Sequence, residues 1–568
     1  MIARNTPPKE ESLSIQTPTI IRDCLFLSLV ALLSLILYIQ KLGFSSDDWG
    51  YIGYYRTSED QSLLGLFYVL SGSANFRSRP VQTLYQAVLY WLFGIHPLGY
   101  HLVNAGVLLS GIVLFYLVLR ELKQGRVLTL VVPLVYGLLP HYSTDRFWFS
   151  GFMVSLSMPL YFLSLYADLR VLRSKGIPIW GWKLASIMSL VGSTLSYEVF
   201  LPLFLLNPLL IWYRARQLYG STESKQLIQT KWAFLFGSNL FALMLVLIFK
   251  ALTASRQGRL GLISHSIWFA KLITKAFIVS YGDYGLGLPG VTLKLLHDYP
   301  NWAVLALAGL LGLVIFGYLY LATNQSKDEL TERFKFIRLI GWGLFLFFMG
   351  YAIFLTNTNA LITPTGINNR IALASAVGVA ISLVGGIGYA STFLPSNQLR
   401  RRGFCILIAL LCTSGFIINN TLASFWVDSY RQQQAIIADI RQRFPTLPSE
   451  STLILDGICP YAGPAVVFES SWDLAGALMI FYRDRSLHAD IVTPNMKIEE
   501  DGLASIMYGG ANYTHHPYSN KLFVYHIGRK TTHYLTDVQA ARRYFQTFNP
   551  DFDNDCPPGR EGFGVQLF

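Results

Sequence analysis

The sequence predicts an α-helical membrane protein with about 11 transmembrane helices and a small C-terminal α/β or α+β domain outside the bilayer. Hydrophobic residues make up 52% of the 568 positions, and charged residues make up 14%, against roughly 25% in a typical soluble protein. The mean hydropathy is +0.41, and many apolar runs approach the roughly 20 residues that a helix needs to cross a bilayer. These values exclude disordered, collagen-like, coiled-coil and disulfide-scaffold classes.

Eleven apolar runs are predicted to span the membrane. When the N-terminus is placed in the cytoplasm, the cytoplasmic segments hold 19 Lys and Arg in 83 residues, and the outer loops hold 11 in 132. Basic residues concentrate on the cytoplasmic side of membrane proteins, so this orientation is favoured. The run 81–95 is short for a span and is predicted to be an interfacial helix. The spans are 22–40, 101–119, 127–141, 150–169, 182–197, 199–213, 232–252, 301–322, 339–355, 371–393 and 403–420.

The formal charge of +12 reflects how the chain is oriented in the membrane. Residues 421–568 hold twelve basic and sixteen acidic residues, so the positive excess lies in the first 420 positions, mostly in short loops. Nucleic acid is therefore not an expected partner. The predicted location is the bacterial inner (plasma) membrane, with the N-terminus cytoplasmic and the C-terminal region extracytoplasmic. Asn419 and Asn512 begin glycosylation sequons, which leave an endoplasmic reticulum location open.

Three domains are predicted: a cytoplasmic tail over 1–21, a transmembrane domain over 22–420 with long outer loops at 41–100 and 253–300, and an extracytoplasmic domain over 421–568. The first span is too long, and lacks the small-residue cleavage site, for a signal peptide. A helical stalk near 425–443 is predicted to lead into the last domain. That domain alternates strand-like runs (Thr452–Leu455, Leu522–His526) with helical patterns (Asp473–Tyr482, Thr536–Phe545).

The five cysteines divide between the predicted spans and the outer domain. Cys24, Cys405 and Cys412 fall in spans and are predicted to be packing residues. Cys459 and Cys556 are the two cysteines of the outer domain, and a disulfide between them is a candidate because outer compartments permit one. Two free thiols are the alternative.

An acidic pair, Asp47 and Asp48, follows directly after the first span. Adjacent carboxylates at a membrane surface suit a site where one acts as a base and the other orients it or holds a cation. The alternative is an ordinary solvated turn. Further charged residues fall in other outer turns, namely Asp145, Glu198 and Arg370. Their convergence from separate loops indicates a polar site at the outer face.

Two arginines, Arg77 and Arg79, precede Pro80 and the interfacial helix. Arginine forks bind phosphate through paired hydrogen bonds, so the two side chains are candidates for holding a lipid phosphate. Simple anchoring to lipid headgroups is the alternative. The loop 253–300 is rich in glycine and basic residues, and it could cover a bound lipid carrier or be a surface connection.

The order of these motifs over residues 20–420 resembles the GT-C superfamily of multipass glycosyltransferases, which use polyprenyl-phosphate sugars and are similar to the protein O-mannosyltransferases. The resemblance rests on the acidic pair, the Arg79-Pro80 step before an amphipathic helix, and the opening of the next span at 93–104. It continues through the acidic turn that ends in Trp148 and Gly151, the Ser-x-Glu at 196–198, and Asn369-Arg370.

The resemblance implies transfer of a sugar from a polyprenyl-phosphate donor to an acceptor hydroxyl at the outer face. It implies a first-loop Asp as general base, which makes Asp47 the first candidate and Asp48 the second. Asp145 matches a second acidic position that orients the acceptor or ligates a metal. A divalent cation, Mg or Mn, is a possible cofactor, with Asp48 and Asp145 as its ligands. The implied partners are the donor, membrane lipid and an acceptor that is a lipid, a protein or a glycan.

The leaving phosphate would be stabilised by arginines. Arg77, Arg79 and Arg370 are the candidates, because a fixed guanidinium stabilises developing negative charge. Glu198 and His101 complete the substrate-binding set, although capping or packing of the second span is the favoured interpretation for His101. His515 and His516 are predicted to lie in a solvated loop rather than a metal site.

Three other classes of protein remain open. A transporter or flippase for a lipid-linked sugar would favour charges at mid-membrane and an internal repeat, and neither is evident in the sequence. A polymerase or ligase of cell-surface polysaccharide would rely on outer arginines without the acidic pair. A non-catalytic scaffold would bind through the C-terminal domain.

Overall fold

The computed structural model describes residues 13–73, 76–219, 225–253, 262–325, 332–356, 360–494, 496–507 and 512–548. Helices dominate up to residue 443, and every predicted span coincides at least in part with helical structure. This confirms the predicted fold class. The helices are α1 (Leu13–Leu33), α2 (Asp47–Arg56), α3 (Leu63–Ser71), α4 (Pro80–Phe93), α5 (Pro97–Glu121), α6 (Arg126–Leu138), α7 (Phe152–Arg173), α8 (Pro178–Ser196), α9 (Leu201–Phe204), α10 (Asn207–Tyr219), α11 (Lys225–Thr253), α12 (Leu262–Phe277), α13 (Leu288–Asp298), α14 (Trp302–Gln325), α15 (Arg333–Tyr351), α16 (Ser375–Ser391) and α17 (Asn397–Arg443).

Six helices in the described residues are long and apolar enough to cross a membrane, and eight spans result if each of two bent pairs is one span. One of these pairs bends by 118° between α8 and the segment Glu198–Phe204. Helix α16 is apolar but has 17 residues. The chain is therefore a multi-pass membrane protein, while the number of eleven crossings stays a prediction.

The outer segments are more helical than expected. The interfacial run 81–95 is helix α4, in agreement with the prediction of a helix there. The segment 253–300, predicted to be an outer loop between two spans, holds α12, a π-helical turn over Ile278–Leu286, and α13 in its described part, and its location outside the membrane stays a prediction. The glycines that indicated a loop lie in that wide turn, which interrupts the apolar helical pattern without ending it.

Helix α17 joins the membrane part to the C-terminal part without a break. It has 47 residues, and its first turn is capped by the Ser396 side chain, which accepts from the Leu399 amide at 3.2 Å. The predicted last span and the predicted stalk are thus one helix. The Asn419 sequon is inside it, with Asn419 fully buried and its amide donating to the Leu138 carbonyl at 2.8 Å, so Asn419 is inaccessible to glycosylation.

Residues 450–548 form a small α/β unit against α17. A four-stranded sheet has the order β4-β1-β8-β9, with β1 parallel to both neighbours, and a three-stranded antiparallel sheet has the order β5-β6-β7. The predicted strands at β1 and β8 and the predicted helices at α18 and α19 are confirmed. The elements are β1 (Thr452–Asp456), β2 (Tyr461–Ala462), β3 (Ala465–Val466), α18 (Ser471–Tyr482), β4 (His488–Ile491), β5 (Met496–Ile498), β6 (Gly502–Met507), β7 (Asn512–Pro517), β8 (Leu522–His526), β9 (Thr531–Tyr534) and α19 (Val538–Phe548).

The expectation that His515 and His516 lie in a solvated loop is wrong. Both residues belong to β7, and His516 is buried with its Nε2 2.9 Å from Asp490 Oδ2. Alternation along a strand places the two side chains on opposite faces, which the sequence pattern alone did not indicate. Cys459 is disulfide-bonded. Its predicted partner Cys556 lies outside the described residues, so that pairing stays a prediction.

Close helix packing connects the outer loop to the C-terminal unit. Helices α2 and α18 cross at glycines, where a Cβ on Gly53 would lie 2.8 Å from the Gly476 carbonyl oxygen. The Trp472 indole of α18 occupies the space beside Gly50. The residues that follow the first span are thus held between the membrane helices and the C-terminal unit.

Candidate active site

The acidic pair begins helix α2, at the junction just described. Ser46, before the pair, has a φ of +49°, in the left-handed region that non-glycine residues rarely adopt. Two contacts hold this turn: the Trp148 indole donates to the Ser45 carbonyl at 3.0 Å, and the Ser45 hydroxyl donates to the Val466 carbonyl at 3.1 Å. The position of Asp47 therefore depends on both the membrane part and the C-terminal unit.

Asp48 is the fully buried member of the pair. Its Oδ1 accepts from the Ser150 amide at 2.8 Å and the Ser150 hydroxyl at 2.6 Å, and its Oδ2 accepts from the Ser45 amide at 2.9 Å. Burial raises the pKa of Asp48 to about 7 despite these hydrogen bonds, which lower it. Asp48 therefore connects the segment at Ser45 to the segment at Ser150, and both of its carboxylate oxygens accept hydrogen bonds.

Asp47 is partly exposed. Burial and the nearby carboxylate of Glu469 raise the pKa of Asp47 to about 6, and the Arg370 guanidinium opposes the rise. A carboxylate with a pKa near 6 is a stronger base than an ordinary aspartate and is still largely ionised at neutral pH. Of the acidic pair, Asp47 is therefore the side chain that is better placed to act as a base.

Glu469 comes from the C-terminal unit and was not singled out in the sequence. It is 5% exposed; its Oε1 accepts from the Ser46 hydroxyl at 2.9 Å, and its Oε2 accepts from the Tyr461 hydroxyl at 2.6 Å. Glu469 thus holds the residue next to Asp47 in its unusual conformation. More than 420 residues separate Ser46 from Glu469, and no local pattern in the sequence indicates such a contact.

Asp145 lies in the helical turn Pro140–Arg146 and is fully buried. Neither carboxylate oxygen has a hydrogen-bond partner among the described residues. Buried polar groups normally have partners, and an unpartnered carboxylate is costly. The backbone near Asp145 is fixed, since its carbonyl accepts from Asn104 Nδ2 at 2.8 Å. The backbone of this turn is therefore held in place around a buried carboxylate.

Arg370 interacts electrostatically with two of the acidic side chains. Its guanidinium acts on the charges of both Asp47 and Asp145, and its Cζ lies 5.1 Å from the centre of the Trp148 ring. One hydrogen bond fixes it to the Ile367 carbonyl. Three residues predicted from the sequence, Asp47, Asp145 and Arg370, are thus brought into one electrostatic cluster.

A second cluster surrounds Glu198. Arg79 Nε lies 3.1 Å from both Glu198 oxygens, and Lys250 Nζ lies 3.1 Å from one of them. The Arg79 guanidinium also stacks on Tyr197 at 4.4 Å. Two cations share one carboxylate, so this cluster has one excess positive charge. The sequence did not indicate Lys250, because it ends a long apolar helix.

Tyr51 links the two clusters. It is one helical turn after Asp47, and its phenol interacts electrostatically with Asp47 and Arg370 on one side and with Arg79 on the other. Burial and the nearby carboxylates hold the pKa of Tyr51 well above its ordinary value. It therefore remains a neutral hydrogen-bond donor between the acidic and the basic groups.

Two predicted residues stand apart. Arg77 is exposed and donates to the Gly72 carbonyl at 3.3 Å; among the described contacts, none joins it to either cluster. His101 is buried in α5, where its Nε2 lies 3.1 Å from the Gly43 carbonyl oxygen. The packing interpretation of His101 fits this geometry better than direct phosphate binding.

The proposed metal ligands Asp48 and Asp145 do not form a group of three ligands within the described part of the chain. The group that does is Glu499 and Asp501, in the connection between β5 and β6, with His515 on β7. His515 Nε2 lies 3.1 Å from Asp501 Oδ1 and 3.8 Å from Glu499 Oε2. Asp501 is largely exposed, and these residues lie in a different element from Asp47.

Comparisons with known proteins give structural neighbours but no sequence match. No family model and no curated protein matches the chain. ArnT from Cupriavidus metallidurans bound to undecaprenyl phosphate is similar over 85% of this chain and 87% of its own, with 15% identity and a TM-score of 0.34. An Archaeoglobus fulgidus oligosaccharyltransferase in complex with Zn and sulfate is similar over 81% of this chain and 61% of its own, with 15% identity and a TM-score of 0.36.

Proposed function

We propose that this protein is a membrane glycosyltransferase that moves a sugar from a polyprenyl-phosphate donor to an acceptor hydroxyl. The observation that carries the proposal is the arrangement of Asp47, Asp145 and Arg370. It combines a partly exposed carboxylate with a raised pKa, a buried carboxylate without a hydrogen-bond partner among the described residues, and a guanidinium that interacts electrostatically with both. Perturbed titratable groups of this kind concentrate at catalytic sites.

In the proposed reaction, Asp47 accepts the proton of the acceptor hydroxyl. The hydroxyl oxygen then bonds to the anomeric carbon of the donor sugar as the bond from that carbon to the phosphate oxygen breaks. Polyprenyl phosphate leaves with the bonding electron pair. Fixed cations stabilise such developing charge; Arg370 is at the acidic group, and Arg79 with Lys250 supplies the excess positive charge beyond Tyr51.

Asp145 is proposed to orient the acceptor. Its oxygens are held without a protein partner, so a hydroxyl group of the acceptor would satisfy them. A divalent cation is the second possibility for Asp145. Asp48 fits metal ligation less well, because three hydrogen bonds already occupy its oxygens. The proposed donor class follows from the cations, which suit a phosphate at a membrane surface.

The proposed location is the bacterial inner membrane with the C-terminal unit outside. It is supported by the enrichment of Lys and Arg in the segments assigned to the cytoplasm. The buried ion pairs agree with a site at one face. Lys183 pairs with Asp168 at 3.0 Å and Arg126 pairs with Asp23 at 2.8 Å; Lys183, Asp168 and Arg126 lie near the ends of α8, α7 and α6 that are assigned to the cytoplasm.

The first test is release of polyprenyl phosphate from a panel of polyprenyl-phosphate sugars by the purified protein, with membrane extract as the acceptor source. Asp47→Asn is expected to lower turnover by about 10²–10⁴-fold, because a general base contributes that much. Glu59→Gln, at an exposed acidic residue of the same outer loop, is the matched control and should leave turnover unchanged.

Normal turnover of the Asp47→Asn variant, with the size-exclusion profile of the unsubstituted protein, would show that Asp47 is not the general base. Translocation of an intact labelled donor across proteoliposomes, without release of polyprenyl phosphate, would instead support the transporter alternative. These two outcomes are distinguishable because only transfer cleaves the bond between sugar and phosphate.

A further inference from the structure

A cavity of about 470 Å³ lies on the outer side of helix α17, away from the Asp47 site. Residues of α17 at helical spacing line it, including Asn420, Ser424, Asp428 and Arg431. The opposite face of the same helix carries Gln433, whose amide donates to the Val466 and Val467 carbonyls at 3.1 and 2.8 Å. The cavity and the proposed active site are therefore on different faces of one helix.

The wall of the cavity is apolar at one end and cationic at the other. Leu37, Val304 and Phe425 supply apolar surface, while Lys41 and Arg431 supply positive charge. Lys41 is exposed and has no ion-pair partner among the described residues. Arg431 is 3.5 Å from Asp428, so the two cations and one acid leave one excess positive charge at the mouth.

Two further groups in the wall suit a phosphate headgroup. Helix α14 begins at Trp302, and its capping residue Asn301 lines the cavity, so the positive end of a 24-residue helix dipole faces the mouth. Asn420 is 5% exposed, and its Oδ1 has no hydrogen-bond partner within the described residues. That oxygen can accept from a hydroxyl or an ammonium group on an occupant.

We propose that this cavity binds one anionic phospholipid of the outer leaflet, with its phosphate at Lys41 and Arg431 and an acyl chain along Leu37, Val304 and Phe425. The positive charge of Lys41 and Arg431 favours a phosphate, and the apolar wall favours an acyl chain. A free anion would leave that apolar wall without a contact. The site is independent of the proposed transfer reaction, because none of its residues belongs to the Asp47 cluster or the Glu198 cluster.

The test is native mass spectrometry of the detergent-purified full chain titrated with phosphatidylglycerol or phosphatidylcholine. One phosphatidylglycerol is expected to bind at least about tenfold more tightly than phosphatidylcholine. The double substitution Lys41→Gln and Arg431→Gln should abolish that preference. Arg483→Gln with Lys497→Gln, at exposed cations of the C-terminal unit, removes the same charge elsewhere and should retain it.

A second variant keeps both cations and fills the cavity. Ala303→Trp places a large side chain in the wall and should prevent phosphatidylglycerol from binding while turnover and thermal stability remain as in the unsubstituted protein. Equal affinity for both lipids, in the unsubstituted protein as in every variant, would overturn the proposal. It would show that lipid contacts this surface only as non-specific annular lipid. Displacement of the lipid by millimolar inorganic phosphate would also overturn it, in favour of a free-anion site.

Discussion

At the residue scale, Glu469 sets the chemistry of Asp47 as well as its position. Glu469→Gln keeps oxygen and nitrogen atoms at the positions that contact Ser46 and Tyr461 but removes the negative charge beside Asp47. The pKa of Asp47, raised to about 6 partly by that charge, should fall. The acid limb of the pH profile of kcat/KM, which follows deprotonation of the base, is expected to move to lower pH.

A purely structural role of Glu469 would give a different result. It would lower the melting temperature and kcat at every pH and leave the acid limb where it was. The other titratable groups that interact electrostatically with Asp47 are Arg370, Asp48 and the neutral Tyr51, and all of them remain in this variant. A limb that moves to higher pH would contradict the argument, because it would require Glu469 to favour ionisation of Asp47.

Asp48 should behave differently from Asp47 although the two are adjacent. In Asp48→Asn, one oxygen can still accept from Ser150, but the amide nitrogen then faces the Ser45 amide, and two donors oppose each other. We expect a loss of about 1–3 kcal/mol in stability, the cost of an unsatisfied buried donor. Thermal unfolding in detergent measures it, and a melting temperature equal to that of Asp47→Asn would contradict the assignment.

The sequence predicted the individual charged residues better than their partners. Asp47, Asp145 and Arg370 stood out because charged residues are rare beside apolar spans. Glu469 and Lys250 did not, since one lies in a domain without a recognisable motif and the other ends an apolar helix. The bifurcated contact of Arg79 Nε with both oxygens of Glu198 joins segments 119 positions apart, and such a contact depends on packing rather than on a local sequence pattern.

At the element scale, the crossing of α2 and α18 determines whether the site forms. A Cβ at Gly476 would lie 2.3 Å from the backbone carbon of Trp49, so Gly476→Ala must push the helices apart. Overpacking of this kind costs about 1–3 kcal/mol. The expected result is a lower melting temperature together with reduced polyprenyl phosphate release, because α2 begins with Asp47.

The matched control is Gly181→Ala in α8, where a Cβ would meet no atom within 4 Å. Alanine favours a helix more than glycine does, so this variant should be equally or slightly more stable, with unchanged turnover. Full activity of Gly476→Ala would mean that α18 can move away without disturbing Asp47, which would remove the C-terminal unit from the site.

Elements were predictable where an apolar run is continuous, as for α5, α14, β1 and β8. The helices of the segment 253–300 were not predicted, because glycines interrupt its apolar pattern at the π-helical turn Ile278–Leu286. The domain boundary predicted at residue 420 stays a prediction, and that residue lies within the continuous helix α17. A hydropathy change along a helix marks where the surroundings change, and the backbone hydrogen bonds continue through it.

At the scale of the whole molecule, the membrane part and the C-terminal unit are expected to act as one body. The Trp49 indole donates to Gln433 of α17 at 3.1 Å, and Gln433 donates to two carbonyls of the C-terminal unit. The covalent connection between α17 and β1, around residues 445–449, is largely exposed. The non-covalent contacts, rather than this short connection, should keep the two parts together.

A protease site inserted at residues 445–449 tests both the assembly and the proposed orientation. Protease added to intact spheroplasts should cut the chain there, because the C-terminal unit is proposed to face outward. The cut fragment should remain bound through detergent extraction and washing, and polyprenyl phosphate release should persist. In the Gly476→Ala background the fragment should dissociate more readily, since the α2–α18 crossing is weakened. If the site is protected in spheroplasts and is cut only after lysis, the C-terminal unit faces the cytoplasm and the proposed orientation is wrong. If the fragment is lost from the unsubstituted protein after cutting, the covalent connection, rather than the non-covalent contacts, keeps the two parts together.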